Sequence, residues 1–336
     1  MAVNCELECA CAALTDGGEE RIPYWHLESG QPGEVFLIIA EQHGNEVQGC
    51  EVIRRFRHVC EERLRAGHVY LVPFANPLAL RHRRSHITLG PEQPYADAAG
   101  QNMNLNWPGD PEGHDTSRLC HALHDAVVRH CTRCLDLHSW SRFTATCTLV
   151  RADVPEAVAL GEATATRFQM MVPPFKRDPA EGTTIGSLFN DNGLAATCIE
   201  LAPQWVIREK EVALGLRAAT NIAKLLGMID GDMEPLDGPA VTFDQGTRAE
   251  RTHTVTAPCS GLFVENGLET SDYVEQGQPL GHIISDADLS TVEVLAPAAG
   301  YLWQYGCHRE HSDIALPPQH PYADEGDVLA AVMAPA

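Results

Sequence analysis

Along the first two thirds of the chain, short apolar runs alternate with longer stretches of helical period. Val35–Ala40 is an unbroken apolar run, the pattern of a strand buried on both faces. Directly behind it, Val52, Phe56, Val59 and Leu64 recur among Arg and Glu, which predicts an amphipathic helix over 47–64. Residues 69–74, 134–137 and 195–201 read as further buried strands, and 118–129 and 212–226 as helices. Such alternation favours an α/β fold, a sheet with covering helices.

The pattern changes near Asp230. Gly227 to Pro239 has the Gly, Pro and Asp density of a linker, which divides the chain into a first domain over 1–230 and a second over 240–336. Beyond it, 255–264, 274–284, 291–295 and 302–305 are short strand-like runs between Gly, Pro and Asp, an all-β reading. Ala257-Pro258-Cys259-Ser260-Gly261 recurs as Ala296-Pro297-Ala298-Ala299-Gly300, and Gly277-Gln278-Pro279-Leu280 is echoed by Gly326-Asp327-Val328-Leu329. This part resembles a biotinyl or lipoyl-type barrel built from two pseudo-symmetric halves. Those carriers need a modifiable Lys, and residues 231–336 contain none. The expected role is therefore to shape, cover or oligomerise.

Composition narrows the function. A net charge of −22 repels a phosphate backbone and argues against nucleic acid as a partner. No apolar run approaches the length of about 20 residues that a membrane-spanning helix needs. No Lys or Arg precedes Arg21, and Glu6 and Glu8 fall where a signal peptide would be basic or apolar, so a cytoplasmic protein is expected. In that compartment the 12 cysteines are reduced thiols rather than a disulfide framework, Cys131-x-x-Cys134 included.

The chemistry gathers at strand ends. His43-Gly44-Asn45-Glu46 follows the Val35–Ala40 strand, at the carboxyl end where open α/β sheets place ligands. Imidazole nitrogen and carboxylate oxygen are ordinary zinc ligands. A second H-x-x-E, His58 to Glu61, lies inside the amphipathic helix and reads as a solvated pair. Asp136-Leu137-His138, at the end of another apolar run, supplies a distant third ligand and leaves a fourth position for water. Glu200, between Ile199 and Leu201, is expensive to bury without a role, and desolvation would tune it as a general base and acid. Trp140 reads either as a pocket wall or as core. His121, His124 and His130 read as surface residues.

These residues, with Asn76-Pro77 and the basic stretch Arg81 to Arg84, and with Asn102-Met103-Asn104 running into Trp107-Pro108-Gly109-Asp110-Pro111, resemble the succinylglutamate desuccinylase/aspartoacylase family of zinc hydrolases, relatives of the metallocarboxypeptidases. The resemblance implies a mixed sheet sandwiched by helices, a zinc carboxypeptidase-like α/β fold, followed by a C-terminal β-domain. It implies one zinc ion per chain on His43, Glu46 and His138, with Glu200 as proton shuttle. It also implies an Arg that polarises the scissile carbonyl, here assigned to Arg84 rather than Arg81 or Arg83, and substrate contacts from Asn104, Leu105, Arg83 and Trp140. The sequence departs from the family at Leu105, where an Arg normally clamps a substrate carboxylate. Without that bidentate fork an acyl-aspartate or acyl-glutamate substrate is disfavoured.

The expected activity is zinc-dependent hydrolysis of the amide in a small N-acylated amine or amino-acid derivative. The alternatives are a metallocarboxypeptidase, which the missing clamp opposes, and a catalytically silent scaffold, which the full ligand set opposes. A small-molecule partner is expected, with no nucleic acid and no membrane; a homo-oligomer is left open.

Overall fold

The structure is a computed structural model and describes residues 3–87, 101–175, 182–308 and 320–334. Nine strands form one mixed sheet: β1 (Asn4–Ala13), β2 (Glu19–Glu28), β3 (Val35–Ala40), β4 (His68–Val72), β5 (Arg133–Ser139), β6 (Cys147–Arg151), β7 (Phe168–Val172), β8 (Ala195–Leu201) and β9 (Val241–Asp244), in the order β1-β2-β4-β3-β5-β8-β6-β7-β9. Its centre, β4-β3-β5-β8, is parallel and largely buried, since helices cover both faces. On one face α1 (Gln48–Arg63) and α6 (Glu209–Leu225) pack with α4 (Pro155–Ala163) over Leu135, Leu137, Ile199 and Leu201. On the other, α3 (Asp115–Ala126) and α5 (Ile185–Asn190) pack over Leu37, Ile39, Cys134 and Ala196, with the short α2 (Pro77–His82) nearby. Because strand side chains alternate, Asp136, His138, Cys198 and Glu200 share this second face.

The strands at 35–40 and 195–201 have the bounds their apolar runs predict. The 69–74 run stops at Val72, before Pro73, which has no N–H to continue a ladder. The helix expected over 118–129 begins earlier, at Asp115, because the His114 ring accepts the Ser117 N–H at 3.3 Å and caps it. Gly227 to Pro239 does not separate the sheets. Val241 and Phe243 return to the large sheet as buried residues of β9, beside β7, and the chain leaves it only through Gln245–Arg251.

The C-terminal strands are β10 (Thr252–Thr256), β11 (Gly261–Glu265), β12 (Tyr273–Val274), β13 (Pro279–Ser285), β14 (Thr291–Leu295), β15 (Gly300–His308), β16 (Tyr322–Ala323) and β17 (Val328–Met333). They form two four-stranded antiparallel sheets, β10-β17-β15-β12 and β14-β13-β11-β16. Exchanging each of β10–β13 with its counterpart four strands later maps one order onto the other, which is the pseudo-symmetry written in the repeated Ala-Pro and Gly motifs. The runs 255–264 and 274–284 each split into two strands, the second at a turn where Gly277 takes φ +79.

The two parts share a core. Trp303 of β15 is 2% exposed and meets Trp140, Phe168 and Phe243 edge-on, with ring centroids 5.5, 5.0 and 5.3 Å away. Trp303→Ala should therefore cost about 3 to 5 kcal/mol, by lost transfer energy and the cavity left behind. Urea unfolding checks this; a loss under about 1 kcal/mol would mean that the interface contributes little to stability.

Candidate functional site

The segment after β3 is held by small and amide residues. A Cβ on Gly44 would lie 2.1 Å from the backbone carbon of Ala79, so only glycine lets the His43-Gly44-Asn45-Glu46 loop rest on α2. The Asn76 side chain caps α2 by accepting the Ala79 N–H at 3.1 Å and donates to the Gln42 carbonyl at 3.2 Å. Ser85, beyond α2, donates to Asn45 Oδ1 at 3.1 Å. Loop and helix thus position one another.

Three residues that the sequence singles out converge here. His43 Nδ1 is 2.9 Å from Glu46 Oε1, and His138 Nδ1 is 2.8 Å from Glu46 Oε2. The far nitrogens are engaged as well: His43 Nε2 lies 2.9 Å from Asn102 Oδ1 and His138 Nε2 lies 3.0 Å from Asp136 Oδ2. Gln42 donates to the other Asp136 oxygen at 2.8 Å, and its own carbonyl oxygen accepts the Trp107 indole N–H at 2.7 Å. Gln204 donates to Glu46 Oε1 at 3.3 Å, and the Ser139 N–H to Oε2 at 3.1 Å. His43, Glu46 and His138 are a set that could hold a metal ion.

Burial opposes ionisation of Glu46, but the imidazoles of His43 and His138 outweigh it and hold the carboxyl well below the usual range. Burial also opposes the charge on His138, yet Asp136 and Glu46 beside it raise the imidazole well above its ordinary value. Glu200 is directly opposite His138 in the parallel β5–β8 pairing. Its Oε2 is buried without a hydrogen-bond partner, and burial, with Glu46 and Asp136 adding to it, pushes the carboxyl up to about 8.

The other expected residues are distributed unevenly. Asn104 reaches the site, its amide nitrogen 3.3 Å from His138 Nε2 and its oxygen accepting the Ile185 N–H at 3.3 Å. Arg81 is engaged by Glu20, with one of its two contacts at 2.8 Å. Arg83 is exposed at the end of α2 in a left-handed conformation, φ 55. Arg84 is half-buried and makes no ion pair among the described residues; it stands two residues before His86, whose ring centroid is 5.3 Å from that of His43. Leu105 is half-buried, its carbonyl against Gly182. Trp140 packs on Trp303 and also interacts with Glu200. His58 and Glu61 form the exposed pair expected of them, 3.0 Å apart, and none of the 12 cysteines is in a disulfide.

A cavity of about 240 Å3 opens beside Glu200, Asp136 and Asn104 and extends between β6 and α5 to Arg151 and Asn190. Arg151, which no motif marks, is buried and paired with Asp153 at 2.7 Å and Asp191 at 2.8 Å. Gln42 and Gln204 are likewise unmarked by spacing, and only their proximity to the ligand loop or the Glu200 strand could have suggested them; Asn102 lies in the Asn-rich motif that carries the resemblance, without a role assigned from it.

Residues 32–226 match the model of the succinylglutamate desuccinylase/aspartoacylase catalytic domain. The N-alpha-acetyl-L-2,4-diaminobutyric acid deacetylase of Halomonas elongata is 25% identical over 298 residues, covering 85% of this chain and 81% of that protein. A succinylglutamate desuccinylase/aspartoacylase from Rhodobacter sphaeroides superposes with a TM-score of 0.67 at 21% identity, covering 100% of this chain and 96% of the other. The product-bound ectoine utilization protein EutE of Ruegeria pomeroyi superposes with a TM-score of 0.67 at 19% identity, over 99% and 95% of the two chains. No helix among the described residues is long and apolar enough to cross a membrane.

Proposed function

The chain belongs to the succinylglutamate desuccinylase/aspartoacylase family, and on that premise we propose that it is a zinc-dependent N-deacylase hydrolysing the amide of a small N-acylated amine or amino-acid derivative. One observation carries the reading: two imidazoles and a carboxylate converge on one point while an unpartnered buried carboxyl oxygen faces them from the next strand.

The donor set fits zinc. With the Nε2–H of His138 donated to Asp136 and that of His43 to Asn102, both Nδ1 lone pairs face the Glu46 carboxylate, an arrangement that a divalent cation between them resolves. Two nitrogens and a carboxylate are a catalytic zinc set with an open position. Zinc held there supplies a Lewis acid that polarises the amide carbonyl and acidifies the attacking water.

Glu200 takes the proton of that water on its unpartnered oxygen and returns it to the departing nitrogen, the step that makes an amine a competent leaving group. Arg84, free of ion pairs among the described residues, is assigned to the carbonyl oxygen. Asn104, fixed by Ile185, orients the substrate beside His138. Trp140 walls the Glu200 side, and Arg83 is kept for the exposed rim.

Two features favour a neutral or cationic amine product. Leu105 stands where the family places a carboxylate-clamping Arg, and Arg151, inside the cavity, is already neutralised by two aspartates. A carboxylate buried there without a cation would cost several kcal/mol. The Halomonas relative is named for an N-acetylated diamino acid, whose leaving amine bears a second, cationic amino group along with a carboxylate, so it supports the cationic preference and not the exclusion of every carboxylate.

A panel of N-acetyl diamines, N-acetyl-2,4-diaminobutyrate, uncharged N-acyl amines, N-acetyl-aspartate and N-succinyl-glutamate tests this on the zinc-loaded protein. The diamine derivatives should lead the acyl-aspartate by about 10²-fold or more in kcat/KM. Leu105→Arg should narrow that gap. Preference of the wild type for acyl-aspartate or acyl-glutamate would show that another cation supplies the clamp.

A further inference from the structure

We propose a second divalent-cation site on β2 and β4, formed by His26, Glu28 and His68, which shares no residue with the catalytic set. Glu28 and His68 are directly opposed in the antiparallel register, and His26 lies one pleat further along the same face. His26 Nε2 is 3.3 Å from His68 Nδ1, His68 Nδ1 is 3.1 Å from Glu28 Oε1, and that oxygen is 3.9 Å from His26 Nε2. A tetrahedral ion with bonds of about 2.0 to 2.1 Å separates neighbouring donors by about 3.3 to 3.4 Å, so this triangle is close to the edge lengths such an ion requires.

The surroundings fix which atoms face inward. His26 Nδ1 lies 3.3 Å from Glu8 Oε1, and Tyr24 holds the other Glu8 oxygen through its hydroxyl at 2.8 Å. With Nδ1–H donated to Glu8, Nε2 presents its lone pair to the triangle, the carboxylate–imidazole relay that commonly stands behind a metal-bound histidine. Tyr70 lies parallel to the His26 ring at 4.2 Å and fixes its plane. The three donor residues are partly exposed, and His26 and His68 open on a cavity of about 420 Å3 that has His130 on its wall, which leaves room for water to complete the coordination.

Two imidazoles and one carboxylate select a borderline ion such as Zn2+, Ni2+ or Cu2+ over Mg2+ or Ca2+. Bound there, the ion ties β2 to β4 near the edge of the large sheet and, by binding only the folded chain, stabilises it.

The test is the zinc content of the full-length protein after equilibration with excess Zn2+ and removal of unbound ion. Wild type should hold two ions per chain. His68→Ala and Glu28→Gln should each hold one and keep their amide hydrolysis, and His43→Ala should also hold one while losing hydrolysis. All carry the same cysteines, so thiol-bound zinc cancels in the differences. A wild-type chain with one ion that His68→Ala loses supports this site and overturns the catalytic assignment. Equal zinc content in wild type, His68→Ala and Glu28→Gln overturns the second site.

Discussion

His138→Ala is expected to lose the catalytic zinc ion and amide hydrolysis together. The imidazole is 3% exposed and stands between two carboxylates, Glu46 at 2.8 Å and Asp136 at 3.0 Å. Removing it deletes a ligand and leaves Glu46 and Asp136 without the cationic group or metal that separates them. Loss of an outer-shell partner alone costs roughly 10- to 100-fold in metal affinity or activity, and loss of the ligand itself should cost more. Breaking a buried ion pair in the metal-free protein should cost about 3 to 5 kcal/mol, so circular dichroism and a melting curve must accompany the assay. A folded His138→Ala protein that keeps its catalytic ion and its turnover would remove His138 from the metal set.

Glu200→Gln separates proton transfer from metal binding. Gln keeps the size of the side chain on β8 and leaves His43, Glu46 and His138 intact, so the catalytic zinc should remain. It cannot accept and return a proton, and turnover should fall by about 10²-fold or more. Stability should hold or rise, since burial opposes the Glu200 charge, with Glu46 and Asp136 adding to it, and Gln carries no charge. Metal analysis, kcat and melting temperature on one preparation decide the matter. Unchanged turnover would assign the proton shuttle to another group.

The sequence shows the ligand loop, the second histidine and the strand glutamate because each lies at or near the end of a mostly apolar run. Val35–Ala40 has no polar residue, and Ala195–Leu201 has only Thr197 and Glu200. β1 and β2 are not legible in this way, because Glu, Arg and Cys alternate through an edge hairpin in which only one face is covered. β9 escapes because four residues carry too little pattern, and its burial is set by β7 rather than by its own composition. Arg151 escapes for a different reason: its neutralising partner Asp191 is 40 residues away, a proximity that exists only after β6 and α5 fold together. His26 and His68 belong to strands that no local rhythm announces as one surface. The resemblance to a family covers what that family shares and leaves such groups unassigned.

The side-by-side register of His138 and Glu200 places the proposed metal ligand and the proposed proton carrier on adjacent strands of a hydrogen-bonded lattice, about 4.8 Å apart, rather than on opposing loops. Loops vary readily among relatives, whereas a register shift in a sheet covered on both faces would turn every buried side chain over. The spacing of this pair is thereby insulated from drift in the surrounding turns, whereas His43 and Glu46 lie in the loop after β3. On the proposed reading, Leu105, in the Asn-rich turn outside the lattice, can change which amine is accepted while the spacing of His138 and Glu200 stays fixed.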